Sequence, residues 1–143
     1  MREILFRGKR TDNGEWVEGY YYKAKYCRTD DKLCDYITVP HPKEYNEPSS
    51  HYIVIPETIG QYTGLKDKNG TKIFEGDIIK SCEYDDIYFV RYFNDDNYPA
   101  FDCVPDVPLC ECNGLAFLVN TEGCEIIGNV HDNPELLGGN NNV

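Results

Sequence analysis

No stretch of this 143-residue chain approaches the ~20 consecutive apolar residues that a bilayer-spanning helix needs, so no membrane partner is expected. The opening MREILFRGKR has neither the long apolar core nor the small-residue cleavage site of an export signal, and the expected location is the cytoplasm. Basic residues are scarce: 14 Lys and Arg stand against 25 Asp and Glu, a net charge of −11. That balance argues against non-specific nucleic-acid binding, which depends on neutralising phosphates. Cysteines number seven, an odd count that excludes a complete set of intramolecular disulfides, and free thiols in a reducing compartment are expected. Sustained 3.6-residue periodicity at helix length is missing, which excludes a helical bundle. Gly60, Gly64, Gly70 and Gly76 precede neither a Gly-Lys-Ser/Thr nor a helix pattern, so they do not make a phosphate loop.

What is abundant is aromatic. Twelve Tyr and six Phe against one Met favour strands, because aromatic side chains suit a pleated, half-buried surface. A chain of this length buries ~70% of its unfolded surface and needs no covalent staples. The expectation is one domain over 1–143, with 1–56 and 57–143 as two packed halves. Charge is unevenly spread. Residues 1–28 hold seven basic residues against four acidic ones, whereas eight carboxylates between Glu83 and Glu111 meet a single base, Arg91. A bipolar surface of this kind keeps a protein soluble and permits self-association.

Two Asn-Gly dipeptides set the expected hairpins, since a two-residue type I′ turn needs positive φ at both central positions. With Asn13-Gly14 as one loop, Lys9 falls opposite Glu18, Arg7 opposite Tyr20, Phe6 opposite Tyr21 and Gly8 opposite Gly19. Ile4, Phe6, Val17 and Tyr21 then share an inward face, Trp16 lies on the other, and the glycines leave room for another backbone. With Asn69-Gly70 as the second loop, Lys68 faces Thr71, Asp67 faces Lys72, Lys66 faces Ile73 and Leu65 faces Phe74. Glu75-Gly76-Asp77 then reads as a bend into a strand at Ile78-Ile79. Shorter strands are expected at Tyr36–Val39, His51–Ile55, Ile87–Phe93, Leu115–Val119 and Glu125–Val130. A Pro-punctuated loop should follow Val39, and the segment from Asn94 to Asn113 is polar, acidic and broken by prolines. Asn133 to Gly138 spells a short helical turn with Asn133 as N-cap. Seven or so short strands imply an all-β fold, mainly antiparallel, as a small barrel or sandwich. A weak echo of Asn13-Gly14…Glu18-Gly19 in Asn69-Gly70…Glu75-Gly76 differs in spacing by one residue.

No residues assemble into a catalytic set, and no metal or cofactor is expected. Cys110-Glu111-Cys112, with Cys103, Cys124 and His131 in reach, is the sharpest metal candidate, but C-x-C is tighter than a zinc knuckle and has no second knuckle. Cys27 and Cys34 are too far apart to supply one. A Cys/His hydrolase would need His41, His51 or His131 beside a cysteine, and nothing places them there. The pairs Asp67 with Asp77 and Asp85 with Asp86 are explained by turns before acid–base or magnesium chemistry is needed. Tyr20, Tyr21, Tyr22 and Tyr26, near Arg7 and Lys25, could pack as a core face or stack on bases. In the central stretch Ile59–Lys80, only Gln61, Tyr62 and Thr63 are left without a structural role, and these three are the interaction candidates.

That stretch also carries a resemblance. The run G-Q-Y-T-G-L-x-D-x-N-G-x-x-I-F-E-G-D-I-I over Gly60–Ile79 resembles the YopX family of phage and prophage proteins. So do the opening Arg2-Glu3-Ile4-x-Phe6-Arg7-Gly8 with Asn13-Gly14 and Trp16-Val17, and the closing Ile127-Gly128-Asn129-Val130 with Asn133-Pro134-Glu135-Leu136-Leu137. Segments 25–50 and 94–113 carry no such likeness. The resemblance implies an SH3-like β-barrel and a home in a temperate-phage or prophage genome, and no established activity. The resulting expectation is a non-enzymatic accessory protein that binds a protein partner or its own copies. The alternative is a nucleic-acid-binding module using Arg7, Lys9 and Arg10 beside the hairpin aromatics. A third, an enzyme acting on metabolites, requires a concave pocket with convergent polar groups.

Overall fold

In the computed structural model, residues 2–25, 32–40, 50–95 and 98–138 are described, and they form mostly antiparallel β structure in two sheets. The chain divides into two compact units, Met1–Tyr62 and Thr63–Val143. The first unit carries β1 (Phe6–Lys9), β2 (Trp16–Lys25), β3 (Leu33–Val39) and β4 (Ser50–Ile53). A 3-10 turn at Pro56–Thr58 leads into β5 (Gly60–Lys66), giving the order β4-β3-β2-β1-β5. In the second unit β5 runs on to β6 (Lys72–Phe74), followed by β7 (Asp77–Ser81), β8 (Ile87–Asp95), β9 (Tyr98–Val104) and β10 (Cys124–Asn129). The last four make a separate sheet in the order β10-β7-β8-β9. Both sheets are open among the described residues, so the strand pairings there do not close a barrel.

The first hairpin forms with a longer loop than a type I′ turn. Arg10 N–H donates to Glu15 O at 2.9 Å and Gly14 N–H to Arg10 O at 3.0 Å, which makes Thr11 to Gly14 a four-residue loop. Gly14 has φ +72 but Asn13 has no positive φ, so the type I′ condition is unmet. The register moves by two: Phe6 pairs with Gly19, Arg7 with Glu18, Gly8 with Val17 and Lys9 with Trp16. A shift of two keeps the paired side chains on their expected faces, but Ile4, expected inward, precedes β1 and is exposed. Phe6 and Tyr21 accordingly meet with ring centroids 5.5 Å apart, while Arg7 and Lys9 lie over the Trp16 ring on the other face. Gly8 does not face Gly19, yet both are buried: a Cβ on Gly19 would stand 2.0 Å from the Thr38 carbonyl oxygen of β3.

The second hairpin departs in the same direction. Asp67 N–H donates to Thr71 O at 2.9 Å and Gly70 N–H to Asp67 O at 3.0 Å. Lys68 to Gly70 is therefore a three-residue loop with Gly70 left-handed at φ +79, and Asp67 is opposite Thr71 rather than Lys72. Asp67 compensates for the lost ion pair. One carboxylate oxygen accepts from Asn69 N–H (2.9 Å) and Thr71 N–H (3.0 Å), the other from Ile126 N–H (3.1 Å). Lys68 N–H also donates to Cys124 O at 2.9 Å, so the turn is pinned to β10. The bend at Glu75-Gly76-Asp77 is present: Gly76 has φ +92, and the Asp77 carboxylate accepts from Phe74 N–H at 2.7 Å.

Two segments differ from their sequence reading. Leu115–Val119 is helical, an α turn at Gly114–Phe117 continuing as a π turn at Leu118–Glu122. Its cap is Asn113, whose side chain accepts from Ala116 N–H at 2.9 Å and donates to Phe101 O and the Tyr98 hydroxyl, both at 2.8 Å. The polar stretch after Asn94 contains β9, paired along its length with β8. At the end, the 3-10 turn Pro134–Leu137 is as expected, but Asn133 does not cap it; its side-chain oxygen accepts from Asn129 N–H at 3.3 Å. The loop expected after Val39 lies mostly outside the described residues. Ile73, Ile79, Val90, Leu115 and Leu118 fill the core of the second unit, while Ile37 and Val54 are the most buried apolar residues of the first.

Candidate binding cleft

The three residues singled out in the sequence have roles in β5. Gln61 pairs with Phe6, Tyr62 is buried with its N–H donating to Leu5 O at 2.8 Å, and the Thr63 hydroxyl donates to Ile73 O at 2.8 Å. The hairpin tyrosines divide between faces. Tyr21 donates to Asp35 at 2.6 Å, whereas Tyr22 stacks on Tyr36 at 5.1 Å and its hydroxyl meets His51 Nδ1 at 3.0 Å. Tyr20 is exposed on that second face, and Tyr26 and His41 lie outside the described residues. Arg10 pairs with Asp12 at 2.6 Å and stacks on Tyr52, away from Arg7 and Lys9. The metal candidates are dispersed. Cys110 and Cys112 are adjacent, Cys103 and Cys124 are buried core residues, and His131 N–H is held by Asn129. Among the described residues no group of three or more His, Cys, Asp or Glu could hold an ion.

Three segments of the second unit converge on a cleft of about 370 Å³, within the ~300–1,000 Å³ usual for ligand clefts. The β7–β8 loop and β8 supply Tyr84, Asp86 and Tyr88, the strap after β9 supplies Pro108 and Leu109, and the helical stretch supplies Phe117 and Glu122. The β7–β8 loop repeats the pattern of the first hairpin: Ser81 N–H donates to Asp86 O at 2.8 Å and Asp85 N–H to Ser81 O at 3.1 Å. Here the left-handed position holds Asp85, at φ 61, where the first hairpin has Gly14. Glu122 is oriented by the Ser81 hydroxyl, which donates to its carboxylate at 2.7 Å. That bond also commits the buried Ser81 to structure.

Among the described residues the lining is aromatic and apolar with two carboxylates and no base. The negative field registers on the phenols. Tyr88 is raised above its ordinary pKa by burial and then by Asp86, and Tyr84 is raised by its hydrogen bond to Glu83. Leu109 is fully exposed at φ 61, and among the described residues only Asp85 and Leu109 are non-glycines with positive φ. Leu109 lines this cleft, and Asp85 lies in the chain between two residues that do. Such conformations store ~1–3 kcal/mol of strain and concentrate at binding sites.

Buried titrating groups give an alkaline prediction. Burial pushes the Cys103 thiol up to about 12 and the Cys124 thiol to about 11, and the hydrogen bond to Asp35 holds Tyr21 at about 12. The folded chain keeps these protons at pH values where the unfolded chain has released them. Their stabilisation is therefore complete below about pH 8.5 and is lost as pH rises through about 9 to 12. Thermal denaturation between pH 8 and 11.5 should show a midpoint falling steadily from about pH 9; a flat profile would contradict the burial of these groups.

The fold and the cleft define a class: a mainly antiparallel, two-sheet β protein with an acidic, aromatic cleft in its C-terminal unit. More particularly, the chain belongs to the YopX family, whose model, described as YopX protein, matches residues 5–138. The crystal structure of protein EF1440 from Enterococcus faecalis is similar at 26% identity and a TM-score of 0.53, covering 96% of this chain and 99% of that one. No curated protein matches. No helix among the described residues is long and apolar enough to cross a membrane.

Proposed function

We propose that the protein is a phage or prophage accessory protein acting in the bacterial cytoplasm as a non-enzymatic binding module. Its cleft takes a lysine or arginine side chain from a basic segment of a protein partner. The carrying observation is the cleft itself, where Tyr84, Tyr88 and Phe117 stand beside Asp86 and Glu122 and, among the described residues, no Lys or Arg lines it. A cation on a long apolar stem fits such a lining, its stem against the rings and its head at the carboxylates. The free thiols of Cys34, Cys82, Cys103, Cys110, Cys112 and Cys124 suit a reducing compartment. We also read 1–143 as one domain, supported by a family match that runs through both units, and the strands from β5 to β10 as kin to an SH3-like barrel, supported by their short length and tight turns.

Calorimetric titration with a short Lys/Arg-rich peptide at low ionic strength tests the reading. Binding is expected, weakening about tenfold or more in Asp86→Asn/Glu122→Gln, a loss of ~1.4 kcal/mol or more. An acidic peptide should not bind. No binding of the basic peptide, or equal binding by the variant, would end it. A second copy of the chain is the competing occupant, and concentration-dependent sedimentation abolished by the same double variant would identify it. A second reading, single-stranded nucleic acid on the face of β2–β4, is favoured by the Tyr22–Tyr36 stack beside the exposed Tyr20. The same titration with an oligonucleotide decides it: binding that falls steeply with salt and is lost in Arg7→Gln/Lys9→Gln supports it, and silence at low salt removes it.

A further inference from the structure

A second recess of the same unit, about 110 Å³, lies beside Cys110 and Cys112, whose Sγ atoms are 3.4 Å apart. We propose that Cys110 and Cys112 form a dithiolate site for a soft, thiophilic cation of low coordination number, copper(I) being the ion it suits best. The number of available ligands selects the ion. Asp102 lines the recess, but its Oδ1 accepts from Cys103 N–H (2.8 Å) and Leu115 N–H (3.0 Å), and its Oδ2 from the Tyr98 hydroxyl (2.8 Å). Cys103 also lines the recess, but it is a buried member of the apolar core. Two sulfurs, with the Asp106 carboxylate beside them, therefore stand available where structural zinc needs four ligands. Thiolates are also the ligands that favour copper(I) among first-row ions.

The field around the pair favours a cation over a redox role. Asp106 lines the recess, Glu111 sits between the two cysteines, and the chain has no Lys or Arg after Arg91. Carboxylates without a neighbouring base work against the bare thiolate that attacks a disulfide, and they favour a metal ion at the same position. Local geometry holds the sulfurs together. Leu109 turns the chain at φ 61, Cys110 N–H donates to Val107 O at 3.2 Å, and the Cys110 thiol lies 3.4 Å from Cys112 O. On binding, two S–H bonds release their protons to solvent and two copper–sulfur bonds form, with no oxidant or reductant required.

Anaerobic copper(I) titration against a competing chelator tests this, using the full chain and a Cys27→Ser/Cys34→Ser/Cys82→Ser variant that removes the other surface or sequence-remote thiols. Both should bind one ion per chain with release of two protons. Cys110→Ser or Cys112→Ser in the triple background should lower the affinity by about a hundredfold or more with an unchanged melting midpoint. Wild-type affinity in the Cys110→Ser/Cys112→Ser double variant would overturn the proposal. So would conversion of the pair to an internal disulfide by oxidised glutathione in a protein that retains no copper(I).

Discussion

Replacing Asp67 by alanine is expected to destabilise the protein by about 3–5 kcal/mol, because three backbone N–H groups lose a carboxylate acceptor at once. The residue is 8% exposed, so water cannot fully replace the carboxylate. Two of the three donors lie inside the turn and the third is Ile126 in β10, so the substitution both loosens the turn and detaches it. Asp67→Asn should cost less, about 1–2 kcal/mol, since one oxygen still serves the turn while the new amide presents a donor to Ile126 N–H. Urea denaturation should show the midpoint falling in that order at constant slope. An alanine variant within 1 kcal/mol of wild type, a bound set by the ordinary worth of one such bond, would show that the turn does not depend on this side chain.

Gly19→Ala is expected to cost about 3 kcal/mol or more, at or beyond the upper end of ordinary overpacking. The added carbon would lie 2.0 Å from Thr38 O and 2.8 Å from Thr38 C. A flexible side chain could swing aside, but these are main-chain atoms of β3 within the ladder that pairs Tyr20 with Thr38. Relief therefore requires β2 and β3 to part. Gly14→Ala makes the contrast. Its Cβ meets open space, and its penalty is the left-handed φ of +72, worth ~1–2 kcal/mol. Thermal denaturation of the two variants should separate them clearly, and a Gly14 effect as large as that of Gly19 would refute steric crowding at Gly19.

Much of the strand content was legible because period-two alternation survives errors in the loops. The first hairpin shows this: its register is two residues off the Asn-Gly expectation, yet Phe6 and Tyr21 share a face and Trp16 takes the other. Loop length itself was not legible, because one glycine at the left-handed position serves a three- or four-residue loop as well as a two-residue one. Leu115–Val119 is a short apolar run, which periodicity cannot divide between a buried strand and a buried helical turn. Asn113 two residues earlier was the usable signal, as an N-cap. Pro99 and the acidic residues around it hid β9, since proline is tolerated at a sheet edge. The cleft left no trace in any single stretch. Tyr84, Leu109 and Glu122 come from three separate segments, and Asp86, read as a turn residue, lines the cleft next to Asp85, which takes a left-handed conformation where glycine would be easier.

Asn113 has a consequence beyond capping. β9 ends its sheet, and a free sheet edge can recruit an extended strand from another chain. Here the Asn113 amide donates to the Phe101 carbonyl, Cys103 N–H donates to the Asp102 carboxylate, and Pro99 offers no N–H. Three alternate residues of β9, Pro99, Phe101 and Cys103, thus withhold a group that strand addition would use. This margin of the sheet is protected against templated aggregation, and association of copies would have to proceed through side chains rather than by extending the ladder at β9.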